Sequence, residues 1–234
     1  MRTVFVFLVA VASVADAQAP AVTLAPKFEP AAFATPGVTH PLFPLQPGTV
    51  FVYAQTEDGR RGIDSLVVTA NTETVAGVRA VVVHDKTLRD GIVREDTFDW
   101  YATDTSGAVW YLGENTRAYQ AGHAVSAAGS WRAGQARATA GLIMPAHPRV
   151  GDVYRQEFRP GVAEDLARVL SVDDSVSVPM GRFAHCVTTE DWSPLEPAVR
   201  EHKSYCPGVG LVRESTVTGG TERVELITRT STAP

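Results

Sequence analysis

From Leu42 onward the chain is interrupted every few residues by Gly, Asp, Asn or Pro. Between the breaks run short β-branched and aromatic stretches: TVFVYAQ, IDSLVVTA, RAVVVHD, TFDWYAT, AVWYLG, VYRQEF, SVSVP, HCVTTEDW and ERVELIT. This punctuation constrains the fold more than any other feature, because such runs read as strands. Turn signals recur at Glu57-Asp58-Gly59, Ala76-Gly77, Arg89-Asp90-Gly91, Ser106-Gly107 and Thr218-Gly219-Gly220. That spacing suits an antiparallel meander rather than βαβ units. The expectation is one all-β domain over residues 42–229, a strongly curved antiparallel sheet closing partly or fully into a barrel, with a short C-terminal tail at 230–234. One helical candidate stands out, Ala163 to Leu170, where Ala163, Leu166, Ala167 and Leu170 share a helical face; it reads equally as a strand.

The first residues, MRTVFVFLVAVASVADAQAP, place Arg2 before an apolar run from Val4 to Val14 and the small-x-small site Ala15-Asp16-Ala17. This is the layout of a signal peptide, residues 1–17, and predicts a mature start at Gln18. The apolar run falls well short of the roughly 20 residues that span a bilayer. No transmembrane segment is expected after cleavage, and the location expected is periplasmic or secreted. Residues 18–41 are Pro/Ala-rich without apolar periodicity and read as an extended leader. A net charge of -5 and the lack of a Lys/Arg cluster exclude a nucleic-acid surface. Partners are expected among small neutral, cationic or amphipathic ligands.

The two cysteines, Cys186 and Cys206, test the meander independently. Folding the segment between them about Ser193-Pro194-Leu195-Glu196-Pro197 places them directly opposite each other. The same register pairs Thr188 with Ser204, Glu190 with His202 and Trp192 with Arg200, each a favourable cross-strand contact. On the other face Val187 meets Tyr205, while Asp191 meets Glu201 and needs Lys203 to screen it. In an exported chain, cysteines so placed are expected to form a disulfide.

Several phrases resemble those of a group of exported bacterial β-rich proteins of unknown function: FPLQPGTVFVY, EDTFDWYATD followed by VWYLGE, HPRVGDVYRQE, SVPMGRF and PLEPAVREHKSYCPGVGLV. The resemblance spans most of the chain after residue 42. It implies curved antiparallel sheets and an address outside the cytoplasm, and it implies no activity.

The stretch EDTFDWYATDTSGAVWYLGE, Glu95 to Glu114, concentrates acids and aromatics around one turn. A three-residue loop, Thr105-Ser106-Gly107, pairs Asp104 with Ala108, Ala102 with Trp110, Trp100 with Leu112 and Phe98 with Glu114. Asp96 and Glu114 then become diagonal neighbours on a face that also carries Phe98, Trp100 and Trp110. Unpaired charge is costly to bury, so that face is either the mouth of a ligand pocket formed by Asp96, Trp100, Trp110 and Glu114, or a core whose acids lie at its wet end. A slip of one residue would change which acids face inward.

Other chemistry finds little support. His40, His84, His123, His147, His185 and His202 show no zinc spacing, and Asp104-Thr105-Ser106-Gly107 is only a fragment of a calcium loop, so no metal or cofactor is expected. No nucleophile elbow is present. Three function classes stay open: a binding or carrier module, a structural or interaction protein of the cell envelope, and a carboxylate-dependent hydrolase drawing on Asp96, Asp99 and Glu114.

Overall fold

The computed structural model describes residues 21–33 and 37–231. The signal-peptide reading therefore lies outside the described residues. Apart from a single turn of 3-10 helix at Pro30–Ala32, the regular elements are strands. A small antiparallel ribbon pairs β1 (Val38–His40) with β2 (Phe43–Leu45). One large antiparallel sheet contains the rest. Its long N-terminal strands are β3 (Thr49–Glu57), β4 (Arg60–Val75), β5 (Val78–Arg89), β6 (Ile92–Thr103) and β7 (Val109–Gln120). Short pieces follow: β8 (His123–Ser126), β9 (Trp131–Arg132), β10 (Thr139–Met144), β11 (Val153–Arg155) and β12 (Glu157–Phe158). The C-terminal part is β13 (Leu166–Val178), β14 (Gly181–Trp192), β15 (Arg200–Cys206), β16 (Gly210–Thr218) and β17 (Arg223–Ser231).

Tight turns make the meander. Asp58-Gly59 and Asp90-Gly91 hold both residues at positive φ, the geometry of a two-residue hairpin whose twist matches its strands. The sheet order is β11-β13-β14-β15-β16-β17-β3-β4-β5-β6-β7-β10-β12, with β8 and β9 added to β7. β3 and β17 thus meet in the middle, Tyr53 opposite Leu226.

The two ends of this path, β11 and β12, are successive pieces of one segment separated by Gln156. The N–H groups of Gln156 and Glu157 both donate to Asp165 O, at 2.8 and 3.4 Å. Gly141 of β10 approaches this corner so closely that a Cβ there would lie 2.4 Å from Gln156 O. The sheet therefore curls until its ends share a corner. Of the partial or full closure expected, full closure into a barrel is not formed: β11 pairs only with β13 and β12 only with β10, and the path is interrupted at Gln156 between them.

The helix considered at Ala163 to Leu170 is not formed either. Ala163 makes an isolated bridge with Arg159, and β13 starts at Leu166, in register with Trp192 of β14. A neighbouring strand supplies partners for its backbone, and this outweighs the helical spacing of its apolar residues.

Part of the stretch read as an extended leader, residues 18–41, packs on the body. Thr23 and Leu24 donate backbone N–H groups to Val153 O, both at 2.9 Å, and Thr105 N–H donates to Ala32 O at 2.9 Å. Phe28 and Phe33 lie against Trp110, with ring centroids 5.4 and 6.1 Å away.

The cysteine hairpin follows the expected register: Thr188 faces Ser204, Glu190 faces His202, and Asp191 faces Glu201. Cys186 and Cys206 are bonded, and the Arg200 guanidinium lies 5.9 Å from the Trp192 ring centroid. A disulfide is compatible with a periplasmic or secreted chain. No helix among the described residues is long and apolar enough to cross a membrane.

Candidate functional site

The β6–β7 hairpin begins as its turn chemistry dictates. Asp104 N–H donates to Ala108 O at 3.0 Å, and Asp104 Oδ1 accepts from Ser106 N–H at 2.8 Å. Ala102 faces Trp110 and Tyr101 faces Tyr111. A β-bulge then shifts the register, so that Trp100 meets Gly113 and Asp99 meets Glu114. Gly113 makes this possible. Its φ is +133°, and a Cβ there would lie 2.3 Å from Trp131 O, because β9 pairs closely alongside it.

The bulge disperses the four residues expected to form a site. Asp96 faces Arg117, and its Oδ1 lies 2.5 Å from His84 Nε2 beside the exposed Phe98. Trp110 is core, its Nε1–H donating to Asp104 Oδ2 at 2.8 Å and its ring covered by Phe28 and Phe33. Only Trp100 and Glu114 stay together, bordering a recess of about 380 Å³. The Arg132 guanidinium lies 4.8 Å from the Trp100 ring centroid.

The inner partner of Glu114 is Asp99. The Tyr111 hydroxyl lies 2.6 Å from Asp99 Oδ1 and 3.1 Å from Glu114 Oε2. It has one proton and donates it at the shorter distance, so the second contact is favourable only when Glu114 is protonated and donates in turn. The electrostatics agree. Burial, then the carboxylates of Asp99 and Glu157, pushes Glu114 up to about 9. Burial pushes Asp99 up to about 7 against the opposing effect of the Tyr111 hydrogen bond. Glu157 accepts from Trp131 Nε1–H at 2.6 Å and is pushed up to about 8 by burial and by Asp165.

These raised carboxyl groups set a pH dependence with a definite sign. Between its ordinary value of 4.5 and about 9, Glu114 is protonated in the folded chain and ionised in the unfolded one. The native state then binds the extra proton, and stability falls as pH rises through that window. Glu114→Gln keeps the shape without the titration. In thermal melts the variant should lose on the order of 1–2 kcal/mol less stability than the native chain as pH is raised across the window. Parallel pH profiles would show that Glu114 is ionised in the fold.

The same inward surface continues across the sheet. Lys203 Nζ lies 3.5 Å from Asp191, 3.5 Å from Glu214 and 4.0 Å from Glu201. Burial alone would lower its pKa, but these carboxylates hold it well above its ordinary value. Glu201, Glu214 and Glu222 approach one another closely enough to hold a cation, and the Lys203 ammonium already contacts two of them. Asp64 and Asp85, on adjacent strands, lie close enough for each to influence the other's ionisation. Burial and the charge of Asp64 raise the pKa of Asp85 well above the ordinary carboxylate range.

Two adjoining cavities lie within the curve and share Tyr53, Leu66, Asp85, Leu211 and Glu214 as walls. The smaller, about 210 Å³, is mostly apolar and aromatic, and it adds Phe43, Phe51, Tyr101 and Tyr205, with Lys203 at its edge. The larger, about 490 Å³, is polar and adds Asp64, Glu95, Arg89 and Arg94. An arc of rings backs the smaller one: Tyr111 stacks on Tyr101 at 4.8 Å, Phe43 meets Tyr101 at 5.3 Å, and Tyr205 lies 6.2 Å from Phe43.

No protein-family model matches the sequence, and no curated protein matches it. Two solved structures are similar in shape. A protein from Bacteroides fragilis, described as exported and as having a YmcC-like fold, aligns with a TM-score of 0.48 at 14% identity, over 81% of this chain and 98% of its own. A protein from Parabacteroides distasonis, described as a lipoprotein, aligns with a TM-score of 0.46 at 15% identity, over the same shares.

The interior was missed in the sequence because its residues come singly from many strands.

Proposed function

We propose that the protein is an exported binding module that takes up a small or amphipathic ligand inside the curve of its sheet, in keeping with the exported bacterial β-rich group its phrases resemble. One observation carries this reading: an aromatic cavity adjoins a polar one rich in acids, the two sharing Tyr53, Leu66, Asp85, Leu211 and Glu214 as walls. The apolar part of a ligand fits against Phe43, Phe51 and Leu66, and its polar part reaches Asp85 and Glu214. The Trp100 and Glu114 recess is a separate opening. Asp99 and Glu114 are engaged with Tyr111, which favours binding over carboxylate catalysis.

The test is a blocked cavity. N-phenylnaphthylamine, an uncharged fluorescent probe, should brighten with the native chain. With Leu66→Trp, which fills the wall common to both cavities, the brightening should fall at least about fivefold. No brightening with the native chain, or equal brightening with the variant, would place binding elsewhere or nowhere.

A further inference from the structure

We propose that the aromatic cavity is the seat of an organic ammonium ion, caged by Phe43, Phe51, Tyr53, Tyr101 and Tyr205 and facing the Asp64–Asp85 pair. The inference rests on the binding-module reading and names its ligand class. Three observations carry it.

The first is the density of rings. Five aromatic side chains wall a space of about 210 Å³, and cations are drawn to ring faces.

The second is a pair of unused hydroxyls. Tyr205 is 2% exposed, lines the cavity, and has no hydrogen-bond partner for its hydroxyl among the described residues. The Tyr101 hydroxyl is likewise unpartnered, its ring contacts being with Phe43 and Tyr111. Neither oxygen is among the fully enclosed unpaired atoms, so both are open to the cavity, where an ammonium N–H can donate to them. Asp64 Oδ1 is a buried acceptor left unpaired.

The third is charge. Lys203 is already shared among Asp191, Glu214 and Glu201, and Arg89 Nη2 is held by Glu57 at 2.6 Å. Among the described residues neither Asp64 nor Asp85 has an ion-pair partner. Asp85 thus brings to the ring-walled space an acid with no ion-pair partner of its own; the charge of Lys203, which also lines it, is taken up by Asp191, Glu214 and Glu201, and Arg94 lies in the adjoining space.

The proton balance follows. Asp85 faces Asp64 on β4, Glu95 and Asp99 on β6 and, across the cavities, Tyr53, Lys203, Tyr205 and Glu214. Burial and these carboxylates raise its pKa well above the ordinary range and so favour its protonated form in the free protein. An ammonium ion arriving beside it favours the carboxylate, so Asp85 releases a proton on binding and affinity rises with pH.

The experiment titrates the mature full-length chain calorimetrically with hexylammonium and with hexanol, its uncharged counterpart, at about pH 6 and about pH 8. Hexylammonium should bind about tenfold or more tightly than hexanol at the higher pH, and less tightly at the lower. Asp85→Asn should abolish the preference, and Tyr205→Phe should weaken hexylammonium alone, with far-ultraviolet circular dichroism unchanged in both. Equal binding of the two probes overturns the ammonium seat and leaves the binding module standing. Hexylammonium affinity independent of pH, or a preference that survives in Asp85→Asn, also overturns it. Should Asp85→Asn fail to fold, the pH comparison and Tyr205→Phe decide. Binding of neither probe overturns the seat, and N-phenylnaphthylamine separately decides the module.

Discussion

Gly113→Ala is expected to cost about 3–5 kcal/mol of stability. A non-glycine residue held at a φ of +133° carries roughly 1–3 kcal/mol of backbone strain. The new Cβ would also lie 2.3 Å from Trp131 O and 2.9 Å from Arg132 Cα. Both are backbone atoms, so β9 must move away, which adds roughly 1–3 kcal/mol as other overpacked sites do. The move would release Trp131 from Tyr111, whose ring it meets edge-on at 5.3 Å, and from Glu157. Gly122→Ala is the control: its φ is +80°, with nothing within 4 Å of the added atom, so only strain remains and about 1 kcal/mol is expected. Denaturant melts of the two variants decide the point. Equal losses would mean that the pairing of β9 alongside Gly113 is not a close contact in solution.

Removing the Cys186–Cys206 bond is expected to cost about 2–4 kcal/mol, since it closes a loop of intermediate length in the unfolded chain. The bond spans a sequence separation of 20 and both sulfurs are fully buried. It ties β14 to β15 directly beside Val187 and Tyr205, so its loss loosens the strand that carries Lys203 and Tyr205 to the cavities. The double variant Cys186→Ala, Cys206→Ala should show a lowered denaturation midpoint, and a strong reductant should lower the native midpoint by a similar amount. A native midpoint indifferent to reductant would mean that the bond does not form.

How much was legible in the sequence depended on whether the deciding signal was local. The cysteine hairpin was readable because four pairings, a disulfide, a hydroxyl pair, an ion pair and a cation–π contact, agree on one register. The β6–β7 hairpin was readable from its turn as far as Tyr101 and Tyr111. Beyond that, a glycine in VWYLGE absorbed one residue, for a reason visible only in three dimensions: β9, from a later loop, needed the space. That single residue put Asp99 rather than Phe98 opposite Glu114 and moved Asp96 away to face Arg117. The cavities were not legible at all. Tyr53, Asp85, Tyr101 and Tyr205 belong to β3, β5, β6 and β15, and no local pattern links residues brought together by the curl of a whole sheet.

The pairing of β3 with β17 has a consequence for the order of assembly. The first long strand finds one of its two neighbours only in the last strand of the chain, so for most of synthesis its outer row of amide and carbonyl groups lacks a partner. A nascent chain short of residue 223 can zip up the hairpins on either side, but the halves are then joined only at the corner formed by residues 153–158. The β3–β17 ladder waits for the C-terminus, which makes folding slow by topology and delays completion of the sheet until the chain is finished. A chain that must pass through a narrow secretion channel before folding gains from that delay.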